Sequence, residues 1–188
     1  MTSRVRSPTI VIAALLFTTV TLAVGYWAFG FVTTLIFTSG FLGGLFLWLV
    51  VPTRASWNDI RLPFWIAFAL FVVHRIEENR TGFFERLAEI TGEPTPEIVS
   101  VPIILLVTLS VGAWLAAPYL AARRNAFGFY LAWTFFAAMG ITELAHFVVF
   151  PFIDGEPLGY FPGMASVVLL APVAWFGMVR LAQGRQTS

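Results

Sequence analysis

Residues 8–51 read PTIVIAALLFTTVTLAVGYWAFGFVTTLIFTSGFLGGLFLWLVV, without a single Asp, Glu, Lys, Arg or His. Water cannot solvate such a run, but a bilayer can: a hydrocarbon core about 30 Å thick takes about 20 apolar residues per helix. The run therefore holds two crossings, at about 8–28 and 31–51. Four further stretches qualify, at about 62–80, 99–121, 126–150 and 162–182. Because no water is present in the hydrocarbon to satisfy a bare backbone, each is expected to be helical. The fold class expected is all-α: a polytopic membrane protein, one transmembrane domain over 1–188, built as a bundle of six helices. The opening span follows Arg4 and Arg6 and has Ala23-Val24-Gly25 near its end, as a signal peptide would. The second span follows within a few residues, which favours a retained helix.

Composition supports this reading. Of 188 residues, 59% are hydrophobic and 11% charged, under half the roughly 25% of soluble chains, and the mean hydropathy is +0.85. The absence of Cys excludes disulfides, thiolate metal sites and Cys nucleophiles. All 11 basic residues are Arg, so no Schiff base can form on a lysine. A net charge of +1 gives no long-range attraction for nucleic acid. The partners expected are membrane lipid and an apolar small molecule, and a homo-oligomer is compatible with the chain.

The arginines set the orientation. With the N-terminus inside, Arg4, Arg6, Arg54, Arg61, Arg123, Arg124, Arg180 and Arg185 all lie inside, against Arg80 and Arg86 outside. That asymmetry places both termini in the cytoplasm of a multi-pass cell-membrane protein. The longest loop, about 81–98, carries Phe83, Phe84, Leu87 and Ile90 at near-helical spacing, with Glu85, Arg86 and Glu89 facing the other way. It reads as a short interfacial helix on the outer surface, ended by Gly92 and the Pro94/Pro96 pair.

Two spans hold charges where apolar residues belong. Span 3 contains His74-Arg75-Ile76-Glu77-Glu78-Asn79 and span 5 contains Thr142-Glu143-Leu144-Ala145-His146. These are the only two histidines, each three residues from a Glu. On a helix His74, Glu77 and Glu78 share a face, as do Glu143 and His146. An ionisable group facing lipid near mid-bilayer costs about 2.5–3.5 kcal/mol on the lenient scale, so six of them would cost on the order of 15–20 kcal/mol. They must face the bundle interior. Both clusters lie toward the non-cytoplasmic ends of parallel-running spans, level with Tyr160-Phe161-Pro162-Gly163 at the start of span 6.

These motifs resemble those of the bacterial HXXEE family of integral membrane proteins. His74-Arg75-Ile76-Glu77-Glu78 carries its signature, Thr142-Glu143-Leu144-Ala145-His146 its Asn-Glu-x-x-His motif with Thr in place of Asn, and Tyr160-Phe161-Pro162-Gly163 its Tyr-x-Pro-Gly motif. The resemblance implies a shared site and names no reaction.

The residue types point first to a metal. Glu-x-x-His is the ligand unit of di-iron carboxylate bundles, which use two such units and two further Glu. Two His and three Glu fall one carboxylate short, which favours one divalent ion over two. Zn²⁺, Fe²⁺ or Mn²⁺ suits a set without sulfur. The ligands expected are His74, Glu77, Glu78, Glu143 and His146, with Glu78 or Tyr160 moving a proton. Arg75, Asn79 and Thr142 are expected as counter-ion and supporting groups. A metal-free acid–base site, an isomerase or cyclase with Glu143 as the acid, is the alternative. A non-catalytic metal- or proton-handling protein, or an architectural polar knot in an accessory subunit, also stays open. The enzyme reading is a metal-dependent transformation of an isoprenoid, sterol-like lipid or acyl chain.

The topology is open to a direct check. Reporter fusions at Arg54 and at Gly92 are expected on opposite sides of the membrane; finding both on one side would refute the six-span reading.

Overall fold

The structure is a computed structural model that describes residues 6–156 and 158–184; Arg4 and Arg185 of the arginine asymmetry lie outside them. The first helix, α1 (Pro8–Val50), begins with Pro in its first turn behind Ser7, whose hydroxyl accepts from the Ile10 amide at 3.4 Å. Forty-three helical residues would extend about 65 Å, twice the hydrocarbon thickness. Gly30 breaks the run: at φ 75° and ψ −171° it leaves the helical region through a conformation that L-residues with side chains rarely adopt. The chain turns back on itself there. Arg6 donates to the Leu49 and Val51 carbonyls, both at 2.8 Å, so the two ends of α1 lie side by side and its arms form a hairpin. The arms, 8–29 and 31–50, cover the stretches expected as the first two spans.

The second helix, α2 (Trp57–Thr81), starts at a capping box in which Asp59 Oδ2 accepts from the Ser56 amide at 2.7 Å, and ends at Gly82 in the left-handed region. The expected interfacial helix is α3 (Phe83–Thr91). It buries Phe83 and Leu87, stops at left-handed Gly92, and is pinned by Arg86, which pairs with Glu89 and with Asp154. The fourth helix is α4 (Val101–Ala122), followed by α5 (Ala126–Gly140), whose cap Asn125 accepts from the Phe127 amide at 2.8 Å.

Here the structure departs from the expected continuous span 126–150. After Gly140 the chain passes through a 3₁₀ turn, Thr142–Leu144, then two short helices, α6 (Ala145–Val148) and α7 (Phe150–Ile153). Non-helical backbone at membrane depth survives only where protein or a cavity covers it, and Glu143, Ala145 and His146 are all buried. The last helix is α8 (Met164–Gln183). Among the described residues there are no strands. Four stretches among the described residues are long and apolar enough to cross a membrane, namely α1, α4, residues 126–153 and α8, as expected of a multi-pass membrane protein. The charges on α2 set it apart from them.

Every residue from Gly128 to Gly140 is buried, so α5 is the central helix, apolar on all sides. It packs against both arms of α1, α4 and α8, while α2 lies chiefly on α8. The approach of α1 to α5 is close. A Cβ on Gly44 would stand 2.5 Å from Thr134 Cα and 2.8 Å from its amide nitrogen, whereas one on Gly43 would meet only Ile141 Cδ1 at 3.8 Å. At one end of the bundle the Arg54 amide donates to Leu181 O at 3.1 Å and Arg6 clasps Leu49 and Val51; α3, Arg86 and Asp154 occupy the other.

The two glycines make a matched pair of predictions. Gly44→Ala must push backbone from backbone and is expected to cost about 1–3 kcal/mol. Gly43→Ala is expected to leave thermal unfolding of the purified protein unchanged.

Candidate functional site

Four buried side chains meet where α2, the 3₁₀ turn and α6 converge: His74, Glu78, Glu143 and His146, none more than 6% exposed. On α2, His74 and Glu78 are one turn apart. Glu143 and His146 are three apart across the 3₁₀ turn, where residues i and i+3 come nearly into register. The interruption of α5 therefore aims both at α2. His74 Nε2 lies 3.0 Å from Glu143 Oε2 and 3.3 Å from Glu78 Oε1. His146 Nε2 lies 3.4 Å from each of the same two oxygens. Nitrogen and oxygen alternate around a ring whose members all lie within 4.8 Å of one another.

Each carboxylate divides its oxygens between two partners. Glu78 Oε2 is 2.8 Å from Arg75 Nη1, and Glu143 Oε1 accepts from Arg75 Nη2 at 2.6 Å, leaving Glu78 Oε1 and Glu143 Oε2 for the histidines. Arg75 is thus the counter-ion expected of it. Its guanidinium also rests 5.2 Å over the Phe71 ring.

The ring geometry tests whether a metal fits. Ser166 Oγ lies 2.9 Å from His74 Nδ1 and 3.2 Å from Gly163 O. The direction of the Ser166–His74 bond follows the tautomer: with the imidazole hydrogen on Nδ1, Nε2 would present a lone pair to two carboxylate oxygens. Groups so arranged would need a cation among them. Glu78 Oε1 and His146 Nδ1, both buried, have no hydrogen-bond partner among the described residues. The 3.0–3.4 Å edges match neighbouring ligands around an ion with bonds of about 2.0–2.2 Å. The cluster could hold a metal ion.

Glu77 is not brought to this ring, which corrects its expected role as a ligand. It lies about 100° around α2 from Glu78 and turns toward α8. Its oxygens accept from the Ala165 amide at 3.0 Å, the Ser166 amide at 2.8 Å and the Tyr160 hydroxyl at 2.6 Å. The reason lies in Gly163, the residue before α8, which has no side chain to cap the helix. A Cβ there would stand 2.5 Å from His146 Cε1 and 3.0 Å from His74 Cε1, so the capping oxygen comes from α2 instead.

Tyr160, expected to face the cluster, is 59% exposed and bonded to Glu77. Burial, then the Glu77 carboxylate, push its phenol above the ordinary value, so it keeps its proton and donates. Asn79 is exposed and stands outside the cluster's contacts. Thr142 bonds Ser39 of α1 at 3.2 Å, not a cluster residue. Ser166 was missed by the sequence reading, although it is the only Ser or Thr in α8. Around His146 stand Phe83, Phe150 and Phe161, with ring centres 5.2, 5.3 and 6.1 Å away.

On one side the cluster opens into a cavity of about 180 Å³ that Arg75, Glu78, Glu143 and His146 share with mostly apolar walls from α1, α3, α4 and α5. Compared with known families, residues 65–176 fit the one described as "Protein of unknown function with HXXEE motif". That stretch includes all four ring residues, Arg75, Glu77 and Ser166, and leaves out α1. No curated protein and no solved structure matches the chain.

Gly163→Ala probes the tight side of the ring. At φ 95° and with both imidazoles in its way, the added methyl is expected to cost about 1–3 kcal/mol in unfolding. It should also shift the histidine ring resonances in NMR spectra.

Proposed function

The chain belongs to the HXXEE family, and from the geometry of its buried cluster we propose a membrane-embedded, metal-dependent enzyme acting on an apolar, lipid-like substrate. One observation carries this reading: two imidazole nitrogens and two carboxylate oxygens in a ring with 3.0–3.4 Å edges, opening on an apolar cavity. One divalent ion, Zn²⁺, Fe²⁺ or Mn²⁺, suits four ligands without sulfur. When bound, the ion supplies Lewis acidity toward an oxygen of water or substrate. His74, Glu78, Glu143 and His146 hold it. Ser166 holds the His74 ring through Nδ1, as an outer partner does for most histidine ligands. Arg75 offsets one carboxylate charge, and the phenylalanines around His146 keep water from that side of the ring.

We take both arms of α1 and α2 as crossings, giving six, with the termini cytoplasmic and the cluster toward the non-cytoplasmic side. The arginine asymmetry supports this orientation.

A second reading has its own observation. The 3.0 Å between His74 Nε2 and Glu143 Oε2 also suits a charge-assisted hydrogen bond. An imidazolium at His74 together with Arg75 would balance the two carboxylates without any ion. In that case the cluster is a proton-transfer site in which the proton passes from His74 to Glu143, which then delivers it as the acid.

Elemental analysis decides between the two. Purified protein is expected to carry about one Zn, Fe or Mn per chain, lost in Glu143→Ala and in His146→Ala while circular dichroism keeps the helical content. Glu77→Ala should retain the metal and lower the unfolding temperature. Protein that carries no stoichiometric metal, and whose activity chelators leave intact, overturns the metal reading in favour of the proton.

A further inference from the structure

We propose that the cavity is a slot for one linear hydrocarbon chain, with a carboxylate head group at the His/Glu cluster; only the head-group end rests on the metal reading above. Its length comes from the helices that line it. The walls run from Thr33 to Phe41 along the second arm of α1 and from Ile103 to Trp114 along α4, which at 1.5 Å per residue is about 12–17 Å. The volume is about 180 Å³, little more than the roughly 150 Å³ of an engineered cavity that holds one benzene. Such a volume drawn out over that length is one chain wide. A fused-ring sterol is too broad for it.

The far end is closed by a fixed floor. Trp114 stacks on Phe41 with ring centres 5.8 Å apart and meets Phe71 edge-on at 5.8 Å. Its indole Nε1 donates to Thr134 Oγ1 at 3.4 Å. Above the floor the walls are Leu106, Val107 and Met139; of the hydroxyls there, Ser110 is committed to Leu106 O at 2.6 Å and Thr142 is bonded to Ser39 at 3.2 Å. The lower slot thus presents no free polar partner, which selects hydrocarbon. Phe83 and Leu87 of α3 cover the top.

The head group follows from position and charge. Glu78 stands two turns above Phe71 on α2, about 10 Å from the floor, so a chain seated on Trp114 ends at the cluster about eight to ten carbons later. There, two carboxylates face Arg75 and a divalent ion, leaving one positive charge. A monoanionic oxygen head group balances it in a medium where an unmatched charge is costly. A medium-chain carboxylate meets both conditions.

Bromine quenches indole fluorescence at short range, which makes Trp114 a reporter of the floor. Protein in phosphatidylcholine nanodiscs is titrated with ω-bromo fatty acids of increasing length, beside Trp114→Phe to isolate this one indole among seven Trp. Trp114 quenching is expected to peak at about eight to ten carbons and to fall for shorter and longer acids. Leu106→Phe and Ser110→Leu, two plugs in different parts of the wall, should each weaken it about tenfold. Cholesteryl hemisuccinate, a sterol of the same charge, should not displace the acid. Quenching without a length optimum, equal displacement by the sterol, or two well-folded plug variants that behave like wild type overturns the slot. Quenching does not require the ion: a metal-free protein that still shows the length optimum overturns the metal centre and leaves the slot standing. A metal-loaded protein without the optimum does the reverse.

Discussion

Two carboxylates, Glu78 at 1% exposure and Glu143 at 6%, sit within a helix bundle whose remaining interior is largely aromatic and aliphatic. A buried anion is tolerated only when positive charge and hydrogen-bond donors surround it. Much of the architecture on the α3 side of the bundle follows from that requirement. Arg75 reaches both carboxylates from one turn of α2. The histidines close the other side. The central helix α5 gives up its regular geometry just where Glu143 and His146 must swing toward α2.

The same requirement explains the conformation around Tyr160-Phe161-Pro162-Gly163. The imidazoles stand so close to the start of α8 that only glycine fits at 163, and a glycine cannot cap a helix with a side chain. Glu77 supplies the missing acceptor from α2 and takes the Tyr160 hydroxyl as well. This cap holds the first turn of α8 in place, and with it Ser166 against His74. The adjacent carboxylates of one motif therefore do different work: Glu78 faces the ring and Glu77 holds the element that orients the ring.

Hydropathy revealed the long apolar helices because burying about 20 apolar residues in lipid dominates every local preference, and the short helix α3 showed in the spacing of Phe83, Leu87 and Ile90. The meeting of His74 with Glu143 and His146 was legible because charged groups in apolar spans have nowhere else to go. Which of Glu77 and Glu78 faces inward was not legible. Both follow His74 at helical spacing, and only the position of α8, a long-range packing outcome, separates them. Tyr160 misled because a phenol can donate to any nearby carboxylate, while the residue of its motif that touches the histidines is Gly163, which has no functional group. The break after Gly140 was hidden as well, since hydropathy averages over side chains and does not register backbone geometry. Ser166 offered a signal, a lone hydroxyl in the first turn of an apolar helix, but nothing in its own segment named His74 as its partner.

The ring and the slot depend on each other physically: apolar walls exclude the water that would otherwise screen the cluster, and the cluster supplies polar groups at one end of the cavity. The most direct measurement is anomalous diffraction from crystals of the purified protein, recorded at the absorption edges of zinc, iron and manganese. A single anomalous peak within about 2.0–2.3 Å of His74 Nε2, His146 Nε2 and one oxygen each of Glu78 and Glu143 is the predicted result. A ring that stays at 3.0–3.4 Å with no anomalous peak at any of these edges would contradict it and leave a proton where the ion was expected.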